Sequence, residues 1–287
     1  MNNGKNENER IAVDSLEEDL PRVAASSYLN TAPLIWSFIQ GRKRDEVELV
    51  TDTAPARCAD MLSKREVNAA LVPVIEYQRI HGLKIVPGVC VGAREAVRSV
   101  VLVARDSTEL KDVRVVALDV SSRTSAALVR IIFREFLGFE PEWVTRAPDL
   151  NSMLRNADAA LLIGDPAMTF SRAGLMVHDM AGLWRKHTGL GFVFAMWMAR
   201  EEDEEKVFRV DFARARDEGL EHVEEIAAEY NRTIGLPLDE IRSYLSENIS
   251  FTLDEEMRAG LKLYYELAHK HGMIKDVQPL RTIEMKA

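Results

Sequence analysis

"RVVALDVSSRTSAALVRIIF", residues 114–133, is the stretch whose reading decides the fold. Its first six residues have the apolar, β-branched character of a buried strand, and residues 126–133 have the spacing of an apolar helix face that ends near Gly138. Between them lies a turn of hydroxyls, Ser121, Ser122, Thr124 and Ser125, around Arg123. The same order of strand, polar turn and helix occurs earlier in "RVAASSYLNTAPLIWSFI", residues 22–39. A second echo follows each unit, "NAALVPVIEY" (68–77) and "DAALLIGDPAM" (158–168). Ala69 lies 47 positions after Arg22, and Ala159 lies 45 after Arg114. A repeat of this kind predicts an α/β protein of two Rossmann-like lobes, 22–104 and 105–195, with a ligand cleft between them.

The flanks read differently. Residues 1–20 lack apolar periodicity and are expected to form a disordered acidic arm. Residues 196–287 show helical spacing over 204–231, 237–247 and 253–271, with Thr252 and Glu255 placed as a capping box, and are expected to pack back on the first lobe. The formal charge is −9, but residues 1–20 carry −4 and residues 201–230 carry −8, so the remainder is +3. That balance argues against nucleic acid and leaves a small organic anion open. The two cysteines, Cys58 and Cys90, make neither a disulfide framework nor a zinc site. No apolar run reaches the length of a membrane span, and the polar start has no secretory h-region, so a cytoplasmic protein is expected.

Candidate chemistry sits where strands end and helices begin. On the second unit, Ser121, Ser122, Thr124 and Ser125 with Arg123 would cradle a carboxylate at a helix start; the plainer alternative is one capping serine among solvated ones. On the first, Ser27, Tyr28, Asn30 and Thr31 precede Pro33, and Asn30 or Thr31 could equally be an N-cap. Ser99 opens a strand, Gly164 and Asp165 form a strand-end turn, and Glu76 is expected on a solvated helix face. The six histidines are scattered; His269 and His271, two apart on a helix, diverge and cannot share a metal. No Walker A, GxGxxG, HExxH or GxSxG motif is present, so no metal or cofactor is expected.

Six segments in order carry a resemblance: "SYLNTAPL" (27–34), "NAALVPVIEY" (68–77), "RSVVLVAR" (98–105), "ALDVSSRTSAALVRIIF" (117–133), "ADAALLIGDPAM" (157–168) and "WRKHTGLGFVFAMW" (184–197). Together they resemble the chorismate dehydratases of the futalosine route to menaquinone, with Gly191 standing where that family would have proline. The resemblance implies a fold like type II periplasmic binding proteins and dehydration of chorismate to 3-[(1-carboxyvinyl)oxy]benzoate. It implies catalytic roles for Asn30 and Ser99, and substrate-binding roles for Ser27, Tyr28, Ser121, Ser122, Arg123, Thr124, Ser125, Gly164 and Asp165. The partner implied is a small dicarboxylate, with no nucleic acid and no membrane. A related 1,4-dihydroxy-6-naphthoate synthase would be expected to carry a "PCPND"-like turn in place of "SYLNT". A non-catalytic sensor of an organic anion would share the architecture.

Overall fold

The computed structural model describes residues 20–106 and 108–284; the arm expected at 1–20 falls, but for Leu20, outside the described residues. The strands are β1 (Arg22–Ser26), β2 (Glu48–Asp52), β3 (Ala69–Pro73), β4 (Leu83–Ala93), β5 (Val100–Arg105), β6 (Val115–Asp119), β7 (Glu142–Arg146), β8 (Ala159–Ile163), β9 (Leu175–Asp179) and β10 (Phe192–Arg200). They form two five-stranded sheets, ordered β2-β1-β3-β10-β4 and β7-β6-β8-β5-β9. In the first sheet β1 runs parallel to β2 and β3, while β10 is antiparallel to β3 and β4. The second sheet repeats this: β6 is parallel to β7 and β8, and β5 is antiparallel to β8 and β9. The local repeat in the sequence is thus a repeat of whole sheets.

Each sheet is centred on an alanine- and leucine-rich strand, β3 (AALVP) or β8 (AALLI), buried along its full length. Strands covered on both faces can be apolar throughout and need no alternation. The sheets also exchange a strand. β5, inside the 22–104 expectation, joins the second sheet, and β10, which begins before residue 195, returns to the first. The chain therefore crosses between lobes twice, and ends at 104 and 195 do not coincide with sheet membership.

After β10 come helices Glu204–Phe208, Phe212–Glu221, Val223–Ile234, Leu238–Ser243 and Glu255–Lys270. The helical spacing over 204–231 resolves into three helices, the second of which is capped by Asp211, its carboxylate accepting from the Arg214 N–H at 2.9 Å. The expected capping box at Thr252 is likewise replaced by Asp254, which accepts from Met257 N at 2.8 Å. A carboxylate is at least as good an N-cap as a threonine and also favours the positive end of the helix. Helix Phe212–Glu221 packs on helix Ala32–Ile39 of the first lobe. Gly219 permits the approach, since a Cβ there would lie 1.9 Å from the Pro33 carbonyl oxygen. Helix Glu255–Lys270 touches both lobes: the Tyr264 hydroxyl donates to the Thr124 carbonyl (3.0 Å), and that of Tyr265 to the Val74 carbonyl (2.7 Å). Gly191 lies under this helix, its carbonyl 2.0 Å from where a Gly260 Cβ would stand. No helix among the described residues is long and apolar enough to cross a membrane.

Candidate active site

The turn after β1 and the turn after β6 face each other across one pocket. Its walls include Ser26, Tyr28, Asn30 and Thr31 from the first turn and Ser121, Ser122, Arg123, Thr124 and Ser125 from the second. Gly164 closes one side, and Phe194 and Leu71 supply apolar surface. A largely apolar lining with a few placed polar groups is the kind of wall that small organic ligands use.

Two helices begin at this cavity, Ala32–Ile39 and Thr124–Ile131, and neither has a side-chain cap. The hydroxyls at their starts are occupied elsewhere or open. Ser26 Oγ pairs with Thr31 Oγ1 at 3.0 Å. Ser121 donates from N and Oγ to Asp119 Oδ1 at 2.8 and 2.6 Å. Thr124 Oγ1 accepts from Ile75 N at 3.3 Å. Ser122 Oγ is buried with no hydrogen-bond partner. At the first-lobe helix, Ala32 N and Leu34 N already bond to the Leu29 and Thr31 carbonyls and Pro33 has no N–H, so the end suited to an anion is the start of helix Thr124–Ile131, where the unpartnered buried Ser122 hydroxyl stands beside uncapped N–H groups.

Several residues read from the sequence stand elsewhere. Ser27 is exposed and absent from the lining; its carbonyl accepts from the Tyr230 hydroxyl at 2.8 Å. Ser99 is fully buried behind the wall, accepting from the Tyr244 hydroxyl at 2.6 Å. Arg123 contributes to the lining, but its guanidinium is turned to the first lobe, donating to Asp60 (2.6 Å) and Glu76 (3.1 Å). Its charge serves lobe-to-lobe contact. Glu76 is correspondingly buried, bridging Arg79 and Arg123, and does not lie on a solvated face. His271 caps the end of its helix against Glu135, and no metal-binding cluster occurs among the described residues.

Other contacts also hold the lobes together. Asp165 Oδ1 accepts from Leu29 N at 2.9 Å. The Tyr28 ring lies over Gly164. Burial raises the pKa of both Tyr28 and Asp119. Burial also pushes the Asp165 carboxyl up to about 6, against the lowering effect of the Leu29 N–H. Folding therefore favours the protonated acid, a contribution present below about pH 4 and lost as pH rises through 6. Asp165→Asn keeps an acceptor for Leu29 but cannot ionise. Relative to wild type it should gain about 1–2 kcal/mol of stability between pH 4 and 7, after allowance for partial solvation. Denaturant titrations at both pH values check this; a difference independent of pH would contradict it.

Sequence reasoning missed Tyr244, because a tyrosine in "SYLSEN" reads as an ordinary core aromatic. It is wholly buried, and its phenol reaches both Ser99 and the Asn30 side chain.

Comparison with known proteins is consistent with this geometry. A family described as menaquinone biosynthesis matches residues 21–270. The chorismate dehydratase of Thermus thermophilus is 32% identical over 258 residues, covering 83% of this chain and 92% of that protein. Among solved structures, a protein of Archaeoglobus fulgidus superposes with a TM-score of 0.73 at 20% identity, covering 89% of this chain and 99% of that one. The periplasmic aliphatic sulphonate binding protein of Escherichia coli gives 0.62 at 18% identity, covering 94% and 95%. These two show the fold, that of the periplasmic binding proteins. With the family match over most of its length and the identity to a curated enzyme, the chain belongs to the chorismate dehydratase family of menaquinone biosynthesis.

Proposed function

We propose that the protein removes water from chorismate to give 3-[(1-carboxyvinyl)oxy]benzoate. The observation that carries this reading is the composition of the cavity wall. Its polar groups are hydroxyls, the Asn30 amide and the start of helix Thr124–Ile131, the Arg123 guanidinium is turned to Asp60 and Glu76, and the lining residues include no histidine, lysine, aspartate or glutamate. Such a wall can hold two carboxylates and orient them, but it offers no side-chain base of ordinary strength.

Chorismate tolerates that lack. Its enolpyruvyl carboxylate lies near the C3 hydrogen and can take that proton; the C–H electron pair becomes a ring double bond as the C4–oxygen bond breaks. The departing hydroxide receives the proton and leaves as water, so charge and atoms balance. The ring becomes aromatic, which lowers the demand on the enzyme. The protein's share is to hold the carboxylate against C3 and to meet charge developing at the leaving oxygen. In this reading the Ser121–Ser125 turn holds one carboxylate on the start of helix Thr124–Ile131, where Ser122 Oγ gains the partner it lacks. Asn30, on the facing wall, is placed beside the reacting edge as a hydrogen-bonding amide and not as a base. Tyr28 and Phe194 flank the ring. Product analysis after incubation with chorismate tests the reading; binding of intact chorismate without turnover would instead fit a sensor.

A further inference from the structure

Ser99 and Asn30, both singled out from the sequence, do not stand in equivalent places. Asn30 lines the cavity, whereas Ser99 lies one layer behind it, fully buried. A single phenol connects them. Tyr244 donates to Ser99 Oγ at 2.6 Å, and the Asn30 side chain reaches the same oxygen. On its other side, Asn30 Oδ1 accepts from Thr31 Oγ1 (3.3 Å), which pairs with Ser26 Oγ (3.0 Å). Because the phenol gives its one hydrogen to Ser99, Asn30 can meet the phenol oxygen only as a donor, through its NH₂ group.

The backbone around this chain is held in unusual ways. Tyr244 opens a π-helical turn, Tyr244–Asn248, that follows helix Leu238–Ser243. Single π turns inside helices recur at functional sites. Arg98, immediately before Ser99, is in the left-handed region at φ +62°. That conformation is uncommon for a residue with a side chain and persists where surroundings enforce it. Here Asp179 grips the segment, accepting from Val97 N (3.1 Å) and Arg98 N (2.6 Å), and Asn248 donates to the Ala96 carbonyl (3.1 Å). Three separated parts of the chain are thus fixed around one buried hydroxyl.

We infer that Tyr244 is a positioning residue, which locks the Asn30 amide so that its second N–H, and not its carbonyl, faces the ligand, with Ser99 serving as the anchor of Tyr244. The inference rests on the dehydration reading above. It gives Ser99 an indirect role and makes Asn30 a donor, suited to a leaving oxygen or a carboxylate and unsuited to removing a proton.

The test compares wild type, Tyr244→Phe, Asn30→Ala and the double variant with chorismate. Tyr244→Phe keeps the ring and removes one oxygen. The expected result is a fall in kcat of about 10-fold or more with KM changed less than about 3-fold, following the view that orientation acts in the transition state. The double variant should be no slower than Asn30→Ala alone, because Tyr244 acts through Asn30. A merely structural role would instead give multiplied losses and a lowered KM or kcat that tracks thermal midpoint. Wild-type kcat in Tyr244→Phe would overturn the inference while leaving the dehydration reading intact; absence of turnover by wild type would overturn both. Should Tyr244→Phe fail to fold, side-chain amide NMR of the wild-type protein decides. The Asn30 NH₂ protons, assigned by their loss in Asn30→Ala, should have widely separated shifts and slow solvent exchange. A near-degenerate, fast-exchanging pair would overturn the inference.

Discussion

Asn30→Ala is expected to lower kcat/KM for chorismate by about 10²–10³-fold, the loss typical of removing one donor aimed at developing charge. Asn30 stands on the cavity wall at the turn between β1 and the first-lobe helix, half-buried, with its oxygen engaged by Thr31. Alanine there empties the position without adding a clash. The thermal midpoint should move little, because the deleted amide is half-buried and its hydrogen bond to Thr31 is long, at 3.3 Å. Steady-state kinetics beside a thermal melt check both parts. Full activity in the folded variant would remove Asn30 from the mechanism.

Gly164→Ala should be the more damaging change for the protein as a whole. Gly164 has φ +65° and ψ −147°, a region that residues with a side chain avoid, at a cost of about 1–3 kcal/mol. A Cβ there would also lie 2.5 Å from two carbons of the Tyr28 ring. Tyr28 comes from the first lobe and Gly164 from the second, so the clash falls on the closed contact between them. Loss of roughly 2–4 kcal/mol would lower the thermal midpoint by roughly 5–10 °C. KM for chorismate should rise along with it, since Tyr28 and Gly164 both line the cavity. An unchanged midpoint and KM would show that this contact does not hold the site together.

What the sequence made legible was local. Strand, polar turn and helix lie within about 20 residues in each unit, and their apolar spacing identifies them directly. Both turns that line the cavity were readable for that reason. The exchange of β5 and β10 between sheets was not, because pairing of β10 with β3 joins residues more than a hundred positions apart and both strands look equally apolar. Arg123 shows the same limit at the site. Beside four hydroxyls it reads as an anion ligand, yet Asp60 and Glu76, 63 and 47 positions earlier, hold its guanidinium. Tyr244 meets Ser99 from 145 positions away, and nothing in its own neighbourhood marks it. Most polar residues of the lining were visible as strand-end chemistry; its apolar residues, and the contacts of Arg123 and Tyr244 behind it, arrive through tertiary structure.

The central claim is that a cavity without a side-chain base dehydrates chorismate by positioning it. The most direct measurement is to incubate the purified protein with chorismate, with no added metal or nucleotide, and follow the products by mass spectrometry. The expected product is lighter than chorismate by one water, absent without enzyme and strongly reduced with Asn30→Ala. Chorismate recovered intact after prolonged incubation with correctly folded wild-type protein would contradict it.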